Sequence, residues 1–145
     1  MRTKEFLDSL EHNRIVEAIR HAEAKSSAEI RVYIQRGVLN VEPFFAAQQK
    51  FHKLGMERTA ERNGVLIFVA PRARQFAVIG DAGIHEKCGA DYWQRVVDLM
   101  GEHFRNERYT DAIVDAIGDV GEVLARHFPK TFEDANELPD QVVED

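Results

Sequence analysis

The chain has 145 residues, enough for one domain with its own core, and its 44% hydrophobic and 30% charged residues exclude a disordered or membrane-embedded class. The net charge of −6 argues against a nucleic-acid binder, which needs a basic face. The single cysteine, Cys88, rules out an internal disulfide and suits a reducing compartment. No apolar run approaches the roughly 20 residues that span a bilayer. No apolar signal core opens the chain, so neither export nor a membrane anchor is expected, and the expected location is cytoplasmic.

Residues 3–24 carry helical apolar spacing: Phe6, Leu7 and Leu10, then Ile15, Val16, Ile19 and Ala22, with Asn13 placed to interrupt them and cap the second piece. Residues 28–34 (AEIRVYI) alternate with a period of two, which predicts a strand with Ile30, Val32 and Ile34 fully buried and Arg31 and Tyr33 half so. Residues 42–54 predict a helix with Pro43 in its first turn, a stripe of Phe44, Ala47, Phe51 and Leu54, and Gly55 as its stop. A polar loop over 57–62 follows.

The segment 62–89, RNGVLIFVAPRARQFAVIGDAGIHEKCG, holds two apolar runs around a short polar link with Pro71, Arg72 and Arg74, a β-hairpin pattern. It is entered through Asn63-Gly64, which favours a tight turn, and left through Gly80-Asp81-Ala82-Gly83. A loop is predicted after Asp81. A helix then spans about 90–104 with Trp93 in its apolar stripe. A second spans about 110–127 with Thr110 as N-cap and Pro129 beyond its end. Residues 129–145 are acidic and aperiodic, a flexible tail beside a domain at 1–128. The expectation is a single α/β domain: a small mixed sheet with helices on both faces, in the order α-β-α-β-β-α-α.

A parallel β-α-β unit followed by a hairpin brings the start of the first strand, the start of the second and the end of the third to one end of the sheet. Glu29, Arg62, Asn63, Gly64, Gly80, Asp81 and Gly83 should meet there, with His85, Glu86 and Asp91 following. Hard divalent cations take carboxylate and carbonyl oxygens, so Glu29, Asp81, Glu86 and Asp91 are candidate ligands for Ca²⁺ or Mg²⁺. The alternatives are a capping or turn role for Asp81, a solvated strand edge or an ion pair with Arg62 for Glu29, and a surface position for His85. Arg36, Arg72 and Arg74 collect at the other end. No His or Cys pair has zinc spacing, and Gly80-Asp-Ala-Gly lacks the third glycine of a dinucleotide fingerprint, so no nucleotide cofactor is expected. Cys88 is a small apolar residue; as a catalytic thiol it would need a lowered pKa.

Three blocks in order, Ala28-Glu29-Ile30-Arg31-Val32, then Arg62-Asn63-Gly64-Val65-Leu66-Ile67, then residues 76–84, resemble the TPM domain family. The family patterns are GAEI-V, DNGVLL-VA and R---I-VG-G, and the resemblance covers roughly residues 5–128. It implies an α/β sandwich, and it implies the calcium binding and acid phosphatase activity ascribed to some members. On that resemblance Glu29, Asn63, Gly64, Gly80 and Gly83 occupy motif positions, and Arg62 stands where the family commonly has Asp. Two functions follow as expectations. One is a divalent-cation-binding interaction or regulatory module for a protein partner not named by the sequence. The other is a metal-dependent or acid phosphatase with Asp81 as nucleophile or ligand and Glu29 as acid/base.

Overall fold

The computed structural model describes residues 2–130 and 142–144. The first helical stretch is two helices, α1 (Thr3–Ser9) and α2 (His12–Glu23). Their break falls at Leu10 and Glu11, not at Asn13, which lies inside α2. The Glu11 amide there donates to the Thr110 hydroxyl at 3.1 Å. That contact takes Thr110 away from the expected N-cap role, and its own helix, α6 (Tyr109–His127), begins one residue earlier.

Strand β1 (Ile30–Ile34) leads to α3 (Pro43–Lys53), where Pro43 opens the helix and Gly55, at φ 71°, takes the left-handed conformation that ends it. After a single 3-10 turn (Met56–Arg58) come β2 (Val65–Ala70) and β3 (Gln75–Gly80), paired as the expected antiparallel hairpin. The expected loop after Asp81 is instead a short helix, α4 (Ala82–Cys88). Helix α5 (Ala90–Arg105) precedes α6, and β4 (Val142–Glu144) closes the described chain.

The sheet order is β3-β2-β1-β4, with β1 parallel to both β2 and β4. Val142–Glu144 thus departs from the flexible tail expected over 129–145, much of which lies outside the described residues. A neighbour on each side makes β1 an interior strand. All five of its residues are buried, Arg31 and Tyr33 included, against the half-exposed face that alternation suggested.

Two cores flank the sheet. The larger packs Ile30, Val32, Ile34, Val65 and Ile67 against Ile15, Ile19, Val96, Ile113 and Ile117 of the helices. Each such buried aliphatic side chain contributes roughly 1.5–3 kcal/mol. The smaller sets Tyr33, Leu66 and Phe68 against Ala47, Phe51 and Met56, so α3 covers the opposite face. Phe44, expected in that stripe, is instead 52% exposed beside Phe45.

Candidate functional site

Register fixes the polar end of the sheet: Ile30 pairs with Val65, and Val65 with Gly80. The loops just outside are cross-braced by backbone bonds. The Val65 amide donates to the Glu29 carbonyl at 2.8 Å, the Asp81 amide to the Gly64 carbonyl at 3.0 Å, and the Gly83 amide to the Arg62 carbonyl at 2.9 Å. The motif glycines exist for close approach. A Cβ on Gly83 would strike the carbonyl oxygens of Glu61 and Arg62, and one on Gly80 would strike the Trp93 ring.

Asp81 ends β3 and caps α4, its Oδ1 accepting the Ala82 amide at 2.8 Å. The same carboxylate is gripped by Arg62, Nε to Oδ2 at 2.6 Å and Nη2 to Oδ1 at 2.9 Å. This is a bidentate guanidinium–carboxylate pair. Asp81 is buried while half of the Arg62 side chain stays in solvent. Hydrogen bonding to Asp81 raises the Arg62 pKa further above its ordinary value. Arg62 holds a left-handed backbone (φ 52°), uncommon for a residue with a Cβ.

Asn63 is buried. Its amide N–H donates to Thr59 Oγ1 and its Nδ2 to Ser27 Oγ, both at 3.0 Å, and the Ser27 hydroxyl donates on to Glu61 at 3.0 Å. Its buried Oδ1 receives no hydrogen bond among the described residues. Ser27, Thr59 and Glu61 were not legible as partners, since they lie in loops joined only by the fold.

The carboxylates expected to gather do not share one point. Among the described residues, no three His, Cys, Asp or Glu side chains are placed to hold a metal ion. Glu29 and Asp81 leave strands on either side of β2, roughly 10 Å apart across the sheet. The buried Glu29 side chain lies near Arg31, whose guanidinium is pulled below its ordinary value by burial, with Glu29 and Glu23 opposing that pull. His85 and Glu86 are exposed on α4, and Asp91 is exposed in the first turn of α5, where the helix dipole favours it. The structure therefore brings Arg62, Asn63, Gly64, Gly80, Asp81 and Gly83 together, with the Glu29 backbone bonded beside them, while the side chains of Glu29, His85, Glu86 and Asp91 take no part in the Arg62–Asp81 pair. Cys88 is half-buried and its pKa is pushed up by burial, the reverse of an activated thiol.

The TPM domain model, named TPM_phosphatase, matches residues 1–123. The chain belongs to the TPM domain family. The NMR structure of BA42 from the psychrophilic bacterium Bizionia argentinensis is 35% identical, with a TM-score of 0.85 over 93% of this chain and 92% of that one. The N-terminal domain of a P. gingivalis protein, 20% identical with a TM-score of 0.56 over 81% and 75% of the two chains, shares the fold. No curated protein matches the chain. Among the described residues, no helix of this TPM domain is long and apolar enough to cross a membrane.

Proposed function

We propose that this TPM domain is a non-enzymatic interaction or regulatory module whose polar sheet end takes a divalent cation, Ca²⁺ or Mg²⁺. The buried Asn63 Oδ1, which no donor among the described residues reaches, lies beside a braced loop pair and carries this reading. A buried carbonyl oxygen with no partner is costly and suits a hard cation. The Asp81 carboxylate supplies the charge once Arg62 swings out, and the exposed position of Arg62 permits that movement. The protein partner would meet the apolar segment of Val38, Val41, Phe44 and Phe45, each 45–62% exposed. Calorimetric titration with CaCl₂ and MgCl₂ tests the cation. Saturable binding lost in Asp81→Asn is expected, and the absence of heat with either ion would end the proposal.

A second reading is favoured by the Arg62–Asp81 pair itself. An exposed guanidinium beside a carboxylate can hold phosphoryl oxygens next to a nucleophile, in keeping with the family model's name. Turnover of p-nitrophenyl phosphate above background, abolished by Asp81→Asn in a folded protein, would establish it over the first.

A further inference from the structure

The opposite end of the sheet is open. A cavity of about 460 Å³ lies between the β2–β3 hairpin and the α5–α6 junction, within the size range of small-ligand sites. Its wall is aromatic: Phe76 packs on Phe104 with ring centroids 4.8 Å apart, and Phe6 on Tyr109 at 5.2 Å. Its charged lining is Arg74, Arg105 and Glu107, and neither arginine forms an ion pair among the described residues.

Two features mark this space. Gly101 sits inside α5, where glycine is disfavoured. Its bare surface faces the cavity between Phe76 and Arg105: a Cβ there would lie 3.5 Å from the Phe76 ring and 3.3 Å from Arg105 Nη1. A longer side chain would occupy the cavity. Arg74 (φ 55°) and Glu107 (φ 58°) both line it in the left-handed conformation, which costs energy in residues with a Cβ.

We propose that this cavity binds a small amphipathic carboxylate, its apolar body against the rings and its head group on Arg74 and Arg105. Guanidinium matches carboxylate geometry bidentately. Two arginines against one Glu107 leave a single positive charge, which suits a monoanion better than a phosphate monoester of charge about −1.5 to −2. The site is independent of the polar end, so it stands or falls apart from the cation proposal.

Decanoate is the probe, titrated into the full chain and followed by amide shifts, with decyl phosphate and decan-1-ol alongside. Saturable shifts at Phe76, Gly101 and Arg105, with a Kd below about 1 mM, are expected. Arg105→Gln, an exposed change that leaves the fold intact, should weaken decanoate about tenfold or more. Gly101→Leu should abolish binding while the remaining amide spectrum persists. Equal binding of decan-1-ol, tighter binding of decyl phosphate, or no saturable shift at these residues would each overturn the proposal.

Discussion

The two ends of the sheet are built on opposite plans. At the Asp81 end, charge is neutralised internally by Arg62, backbone bonds tie the loops, and two glycines are needed because neighbours press on them. At the hairpin end, two arginines have no carboxylate partner among the described residues, and a helical glycine leaves space beside an aromatic wall. Glycine therefore has two meanings in one small domain: in the motif it permits contact, and in α5 it preserves a cavity. Every described non-glycine residue in the left-handed conformation, Arg62, Arg74 and Glu107, is charged and lies at one of these two ends.

Gly83→Ala against Gly101→Ala gives the largest contrast. Gly83→Ala should cost on the order of 2–3 kcal/mol, because backbone oxygens cannot yield to the added methyl. Gly101→Ala should instead stabilise by up to about 1 kcal/mol, since alanine is the better helix former and the methyl meets the flexible end of Arg105 and, at an ordinary van der Waals distance, the Phe76 ring. Urea denaturation measures both. A neutral Gly83→Ala would mean that the polar loops are not braced as described.

The Asp81 cap comes next. Asp81→Ala should lose roughly 1 kcal/mol from the start of α4, and Asp81→Asn should recover most of it, because an amide oxygen still accepts the Ala82 N–H. Equal losses in the two variants, by the same denaturation, would place the cost in the Arg62 pair rather than in the cap.

How far the sequence reached follows the same division. The end that gathers Arg62, Asn63 and Asp81 was legible, because a parallel crossover plus a hairpin fixes which strand ends coincide. The Arg62–Asp81 pair was not, since its members lie 19 positions apart and meet only through loop geometry. Helix α4 escaped because seven residues with only Ile84 buried show no period. Arg31 and Tyr33 were misjudged because alternation cannot show that β1 has a strand on each side and α3 over the face they share. The cavity is a matter of unfilled volume, which no residue pattern records.

The smallest effect is chemical. Burial raises the Cys88 pKa, so its thiolate fraction at pH 8 falls below that of an ordinary thiol. Iodoacetamide should label it more slowly in the folded protein than in urea, with a rate that climbs at higher pH than for a free thiol; mass spectrometry reads the difference. Labelling as fast as in urea at pH 7 would contradict the burial described.

A Ca²⁺ titration of the wild type and Arg62→Ala, followed by amide shifts, tests most directly whether Arg62 guards the polar end. Shifts confined to residues 61–64 and 80–83, reached at about tenfold lower Ca²⁺ in the variant, are expected. Shifts elsewhere, or a variant that binds no more tightly than the wild type, would contradict it.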